Sequence, residues 1–229
     1  MFFKYVKKNL LEFNAYLFDL DGTLIDTEPL HHHAWMLTLE NHGFKLDWDF
    51  DTYLSHALLS RPHLFKQIFL ACPGLEHQFS DPELLRQKKI GVFEQLLMER
   101  PPSWMPGALE MLDWLNKHHK AMAIVTNSPR RHVAGYTHLN FGQFFQHIIT
   151  IDEFKHPKPD PAGYNLALKQ MGHSATEALV FEDSLKGVQS GIHAGANVVL
   201  IATEHYKKVA KVDPLQFSVS SFKELLPLN

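Results

Sequence analysis

Cysteine is almost absent from the sequence, since Cys72 is the single one among 229 residues. One thiol excludes an internal disulfide and a metal site with several thiolate ligands, and it suits a reducing compartment. Burial of a small apolar side chain is enough to explain Cys72. We therefore expect a protein of the cytoplasm.

A strong charge of one sign is also absent. The chain carries 22 Lys and Arg against 25 Asp and Glu, a formal net charge of -3. A balance this even predicts neither nucleic acid nor a membrane as the main partner, and it favours a small-molecule ligand.

Long apolar runs are missing as well. None reaches the roughly 18 residues of a membrane-spanning helix, and residues 1–14 lack the long uncharged segment of a signal peptide. Lysines alternate with Phe, Tyr, Val and Leu in that stretch. It is predicted to form a short helix packed beside the core, and a basic helix lying on a membrane surface is the alternative.

The pattern that is present alternates short apolar runs with helical periodicity. Apolar runs typical of buried strands occupy 15–20, 121–127, 147–152, 178–183 and 197–203, with a shorter one at 217–222. Helical patterns occupy 106–119, 130–139, 161–172 and 184–195. The alternation predicts an α/β fold, a doubly wound parallel sheet of Rossmann-like type with helices on both faces.

Residues 30–100 break this alternation, because they contain helical patterns and no strand-like run. Pro101, Pro102, Pro106 and Gly107 follow and are suited to end a helical segment. We therefore predict two domains: a core formed by 1–29 and 101–229, and an all-helical domain of 30–100 inserted after the first strand.

Two carboxylates, Asp19 and Asp21, stand at the end of the first predicted strand. Residues two apart in a strand face the same way, so both can converge on one point. Two negative charges close together in a dry environment repel each other unless a cation is bound, and Mg²⁺ is the hard cation that uses few carboxylates. Gly22 and Thr23 would supply a turn with exposed amides.

Three other segments place polar groups at strand ends or in loops. Thr126 offers a hydroxyl and Asn127 an amide for a phosphate, Lys158 lies between two prolines, and Glu182 and Asp183 form a second acidic pair. Each has an ordinary explanation taken alone, such as a helix cap for Asp183. Their ordered combination favours a catalytic site for phosphate chemistry.

The motifs DLDGTLIDTE, IVTNS, KPDP and VFEDS resemble the four motifs of the haloacid dehalogenase superfamily, in order and over nearly the whole chain. DxDGT resembles its phosphotransferase branch, which includes the beta-phosphoglucomutase-like proteins and has a helical cap. The resemblance implies that Asp19 is the nucleophile and Asp21 the general acid and base. Thr126 and Lys158 would hold the phosphoryl group.

The same resemblance implies a magnesium site. Asp183 would bind Mg²⁺ with Asp19 and the backbone carbonyl of Asp21, and Glu182 would assist directly or through water. The turn at Gly22 and the amide of Asn127 would contact the phosphate.

Two residues of the insert resemble substrate-contacting positions of this branch. His31 matches a histidine near the active site, and Arg61 matches the phosphate-binding arginine of sugar-phosphate mutases. The glycine usual before that arginine is absent, and Pro157 replaces the usual glycine before Lys158. Gly187, Gly191 and Gly195 are interpreted as packing positions within a helix rather than as a nucleotide-binding loop.

These features together predict a monomeric Mg²⁺-dependent phosphatase of small phosphorylated metabolites, sugar phosphates among them. A beta-phosphoglucomutase-like isomerase shares all four motifs and is the alternative. A non-catalytic phosphate-binding regulator on the same scaffold is disfavoured because both aspartates of the first motif are present. Dehalogenation is disfavoured because it would give Asp21 and the metal ligands no role.

Overall fold

The strands of the computed structural model confirm the predicted parallel sheet; the structure describes residues 10–202 and 218–227. The strands are β1 (Ala15–Phe18), β2 (Ala121–Val125), β3 (His147–Ile149), β4 (Ala178–Glu182), β5 (Asn197–Ile201) and β6 (Ser218–Val219). They pair in the order β3-β2-β1-β4-β5-β6, and every neighbouring pair is parallel. Most of the predicted N-terminal helix, and positions 203 and 217 of two predicted strands, lie outside the described residues.

β1 lies at the centre of the sheet and is buried along its whole length. Phe18, its last residue, pairs with Ile124 on one side and Phe181 on the other. A strand covered on both faces is apolar throughout rather than alternating, as its sequence is. The register brings β1, β2 and β4 to an end at one level, so the residues that follow these strands are neighbours.

The chain divides into two compact units. Among the described residues, 10–26, 103–202 and 218–227 form the sheet unit, and 27–102 form the helical unit. The helices of the helical unit are α1 (Glu28–Glu40), α2 (Phe50–Ala57), α3 (Arg61–Ala71), α4 (Leu75–Gln78) and α5 (Pro82–Glu99).

The helical unit has an apolar core of its own. Trp35, Leu39, Leu64, Ile68 and Leu85 are among the buried side chains that pack together there. Its helix starts follow local capping chemistry: the side chain of Asp49 accepts a hydrogen bond from the backbone of Thr52, and that of Ser60 from His63.

The sheet unit contains α6 (Ala108–Lys117), α7 (Arg130–Ala134), α8 (Ala162–Met171) and α9 (Leu185–His193). The single helix predicted over 130–139 is wrong in one respect, because α7 ends at Ala134 and a separate 3₁₀ turn follows at Thr137–Leu139. Across the described ranges, no helix combines the length and the apolar character needed to cross a membrane.

The two chain connections between the units run side by side where they join the sheet unit. The backbone N–H of Asp26 donates to the carbonyl of Ser103 at 3.0 Å, and Ile25 forms an antiparallel bridge with Trp104. The chain therefore leaves the sheet unit and returns to it at one place, a few residues beyond Asp19 and Asp21.

Candidate active site

Asp19 directly follows β1 and stays attached to the sheet, because its backbone N–H donates to the carbonyl of Phe181 at 3.0 Å. The chain then turns at Gly22, whose φ is +86°. A side chain at that position would place its Cβ 2.2 Å from Oδ2 of Asp183. Glycine is therefore required both by the backbone angle and by the close approach of Asp183.

Three carboxylates meet at the ends of the central strands. Oxygen atoms of Asp19, Glu182 and Asp183 all lie within 4.8 Å of one another. Glu182 is fully buried, Asp19 is 8% exposed and Asp183 is half-buried. The structure thus brings these three predicted residues together, whereas the carboxylate of Asp21 is not part of the group.

The capping role that offered another explanation of Asp183 belongs to its neighbour. The side chain of Ser184 accepts a hydrogen bond from the backbone of Gly187 at the start of α9. Asp183 lies one residue before this cap residue.

Lys158 provides a buried cation at the same place. Its Nζ donates to Oδ1 of Asp19 at 2.6 Å, to Oε1 of Glu182 at 2.5 Å and to the carbonyl of Val125 at 2.8 Å. The lysine side chain is 3% exposed. One ammonium group is thereby shared between two carboxylates, a ratio that leaves the cluster short of positive charge.

The pKa values of Asp19 and Lys158 are consistent with this excess of negative charge. Burial raises the pKa of Asp19 to about 7, although the Lys158 ammonium acts to lower it. Burial acts to lower the pKa of Lys158, but the attraction of Asp19 and Glu182 outweighs it and raises that pKa overall. Lys158 therefore keeps its proton, while its single charge does not fully compensate the buried ionised form of Asp19.

The residues after β2 form a second wall of the site. Thr126 is 2% exposed, and its hydroxyl accepts a hydrogen bond from the backbone of Ser128 at 2.9 Å. Oδ1 of Asn127 accepts from the backbone N–H of Lys158 at 3.1 Å. Asn127 thus ties the lysine-bearing loop to the end of β2, a positioning contact that the sequence did not indicate.

Three hydroxyl groups that sequence reasoning missed hold the acidic residues. Asp21 accepts from Tyr136 OH at 2.7 Å through Oδ1 and from Ser128 Oγ at 2.6 Å through Oδ2. Tyr164 OH donates to Oε1 of Glu182 at 2.6 Å, and its ring lies 4.9 Å from Nζ of Lys158. Burial, with the nearby acids, raises the pKa of both tyrosines, so both phenols stay protonated and donate.

The two predicted residues of the insert lie within the helical unit. His31, on α1, contacts Nζ of Lys89 through Nδ1 and stacks on Phe93 with ring centroids 4.2 Å apart. Lys89 is 7% exposed, a buried cation that the sequence pattern did not reveal. Arg61 is exposed at the first position of α3 and lines a cavity of about 840 Å³ with Phe65 and Phe69.

The glycines of α9 confirm a packing role at two of the three predicted positions. A Cβ on Gly187 would lie 1.9 Å from the carboxyl group of Glu182, and one on Gly191 would lie 2.8 Å from Val198. Gly195 was wrongly placed inside the helix, which ends at His193; its φ of +83° is that of a residue that terminates a helix.

Gly187→Ala is expected to lower the free energy of unfolding by about 1–3 kcal/mol, because Glu182 cannot move away without breaking its bonds to Lys158 and Tyr164. Gly91→Ala is the matched control. Gly91 is also within a helix, α5, but a Cβ there meets nothing within 4 Å. That change should raise the free energy by about 0.5–1 kcal/mol in urea unfolding. Equal effects of the two changes would contradict the close packing at Gly187.

Comparison with known proteins agrees with the geometry. Residues 13–195 match the haloacid dehalogenase-like hydrolases. Fructose-1-phosphate phosphatase YqaB of Escherichia coli is 31% identical over 186 residues, 80% of this chain and 93% of that protein. A phosphoglycolate phosphatase of Pseudomonas savastanoi is 30% identical over 230 aligned positions, 92% of this chain and 78% of that protein.

A solved structure shares the fold. CbbY from Rhodobacter sphaeroides, as a variant in complex with xylulose-(1,5)bisphosphate, superposes with a TM-score of 0.68 over 93% of this chain and 96% of that one, at 22% identity. The relatives named above are phosphatases, which confirms the predicted enzyme class, a phosphohydrolase. The match over most of its length, together with the four motifs gathered at one edge of the sheet, shows that the chain belongs to the haloacid dehalogenase-like hydrolase family.

Proposed function

We propose that the protein is a Mg²⁺-dependent phosphatase that hydrolyses small phosphate monoesters, sugar phosphates among them, through a phosphorylated Asp19. The observation that carries the proposal is the cluster of three carboxylates, Asp19, Glu182 and Asp183, two of which share the buried ammonium group of Lys158. The named activities of the relatives, on fructose 1-phosphate and phosphoglycolate, support small phosphorylated metabolites as substrates.

The donor set fits a magnesium ion. Asp19, Glu182 and Asp183 offer hard oxygen ligands within 4.8 Å of one another, and the missing Cβ of Gly22 leaves room for Asp183 beside them. We propose that these residues hold Mg²⁺ together with the backbone carbonyl of Asp21. Mg²⁺ bound there supplies positive charge that offsets the repulsion between a carboxylate and a phosphate dianion.

The residues divide the chemistry between two half-reactions. A carboxylate oxygen of Asp19 attacks phosphorus, the new O–P bond forms as the ester P–O bond breaks, and Asp21 donates a proton to the departing alcohol oxygen. Asp21 then takes a proton from the water that attacks the phosphorylated Asp19, which releases inorganic phosphate. Lys158 and Thr126 hold the phosphoryl oxygens in line during both steps.

We propose further that the helical unit, predicted as 30–100, serves as a cap. Its two connections meet beside the Asp19–Asp21 loop, so a change in these few residues would suffice for movement. Closure would exclude bulk water from the phosphorylated Asp19, and His31 and Arg61 are the proposed substrate contacts of the cap. A lone buried thiol suits the reducing cytoplasm that we propose as the location, and the proposed monomeric state can be checked by light scattering.

The test is phosphate release from a panel of monoesters that includes fructose 1-phosphate and phosphoglycolate, each with Mg²⁺ or with EDTA. Turnover that EDTA lowers by about 100-fold or more would support the proposal. Turnover that is unaffected by EDTA would remove the metal from it. Absence of release from every compound would contradict the phosphatase and direct the assay to isomerisation of beta-glucose 1-phosphate, the reaction of the alternative mutase.

A further inference from the structure

Asp21 is held at both of its carboxylate oxygens. Tyr136 OH lies 2.7 Å from Oδ1 and Ser128 Oγ lies 2.6 Å from Oδ2, and both hydroxyls donate. Two donors on two different oxygens fix the plane of a carboxylate, which a single bond would leave able to rotate. The orientation of Asp21 is thus determined by residues that follow β2, more than 100 positions further along the chain.

Tyr136 is itself rigidly placed. Its side chain is fully buried, its backbone N–H donates to the carbonyl of Val133, and its ring packs edge-on against Phe141 at 6.3 Å. A tyrosine has few torsions, so its hydroxyl position follows from the packing of its ring. The phenol therefore acts as a fixed point to which the carboxylate of Asp21 is tied.

The position of Ser128 is fixed by the turn that follows β2. Its backbone N–H donates to the hydroxyl of Thr126 at 2.9 Å, which fixes the turn that follows β2. The same turn that presents Thr126 therefore also directs the hydroxyl of Ser128 toward Asp21. Any shift of this turn would disturb Thr126 and Asp21 together.

We infer that Tyr136 and Ser128 are positioning residues that orient Asp21 for proton transfer, an inference that rests on the proposed function. Asp21 carries the proton that is transferred, whereas the hydroxyls of Tyr136 and Ser128 keep their own protons. Asp21 has to meet first the leaving oxygen and then the attacking water, and a carboxylate fixed in one plane can serve both without reorganisation. The resemblance to known motifs assigned no role to either hydroxyl.

The test compares substrates that differ in their need for a proton. With a sugar phosphate, whose alcohol leaves poorly, Tyr136→Phe should lower kcat about 10- to 100-fold and leave KM within about threefold. With 2,4-dinitrophenyl phosphate, whose leaving group needs no proton, the single-turnover rate of Asp19 phosphorylation should fall less than about threefold. Ser128→Ala should behave in the same way, and Ser128→Thr, which keeps the hydroxyl, should restore most of kcat.

Tyr16→Phe is the matched control. Tyr16 is also fully buried in the sheet unit, but its hydroxyl donates to the backbone carbonyls of Leu10 and Phe13, so its removal should leave kcat unchanged. The inference is overturned if Tyr136→Phe and Ser128→Ala retain the wild-type kcat, or if they slow both substrates equally. Wild-type protein that releases phosphate from neither substrate overturns the proposed function and this inference with it, whereas an active wild type with unaffected variants overturns the inference alone.

Discussion

Asp19→Asn is expected to abolish phosphate release, with turnover at least about 10⁴-fold below that of the native protein. The amide is nearly the same size as the carboxylate but is not a nucleophile toward phosphorus, so the first half-reaction has no attacking group. The fold should survive, because the change removes a charge that is costly to bury. Steady-state phosphate release, with the folded state checked by thermal unfolding, measures both effects.

Asp26→Asn is the control for that experiment. Asp26 belongs to the same DLDGTLID stretch, but its backbone is engaged with Ser103 at the connection between the units. We expect its replacement to leave turnover within a few-fold of the native value. Comparable losses in the two variants would mean that the nucleophile has been assigned wrongly.

Lys158→Met is expected to lower the free energy of unfolding by about 3–5 kcal/mol in EDTA. The change leaves Asp19 and Glu182 buried at 12% and 0% side-chain exposure without the cation that both contact. Burial already raises the pKa of Asp19 to about 7 in the presence of Lys158, so the folded state binds this proton more tightly than the unfolded state does. The native free energy of unfolding therefore falls as pH rises from the ordinary pKa of an aspartate to about 7, the pKa of Asp19 in the folded state. The additional loss in the variant should be larger at pH 8 than at pH 5.

Two comparisons isolate the cause. Lys45→Met breaks an ion pair of equal length, 2.6 Å to Asp47, between side chains that are 84% and 73% exposed, and it should leave the free energy of unfolding almost unchanged because water screens the pair. Lys158→Met combined with Glu182→Gln removes one of the uncompensated charges and should recover part of the loss. Urea unfolding at the two pH values gives all of these quantities, and a double variant as unstable as Lys158→Met would contradict the electrostatic explanation.

The sheet and its acidic residues could be predicted because each is expressed in local sequence. A strand buried on both faces is an uninterrupted apolar run, and the runs that contain β1, β2 and β4 are followed or ended by the polar residues of the site. Parallel strands end at one edge, so Asp19, Thr126 and Glu182 had to be neighbours once the strands were paired. The predicted runs at β1, β2 and β4 extend past the strands into residues of the site, namely Asp19, Thr126 and Asp183.

The partners of these acids could not be predicted, since their side-chain directions depend on tertiary packing. Tyr136 and Tyr164 lie in or beside helical segments, where an aromatic residue is ordinarily interpreted as core. Both are indeed buried, and the useful signal is chemical: a buried tyrosine needs an acceptor for its hydroxyl. Lys89 was hidden for a similar reason, because a lysine within a helix is ordinarily expected to face solvent, whereas this one in α5 is buried.

The chain leaves the sheet unit after Asp26 and returns to it at Ser103, two residues that are hydrogen-bonded to each other. The backbone N–H of Asp26 lies 3.0 Å from the carbonyl oxygen of Ser103, so the two connections to the helical unit are adjacent where they join the sheet unit. A segment with adjacent ends can be lengthened, shortened or replaced by another without moving any strand. We therefore expect that residues 27–102 can be exchanged as a block while the strand ends that carry the proposed chemistry stay in place.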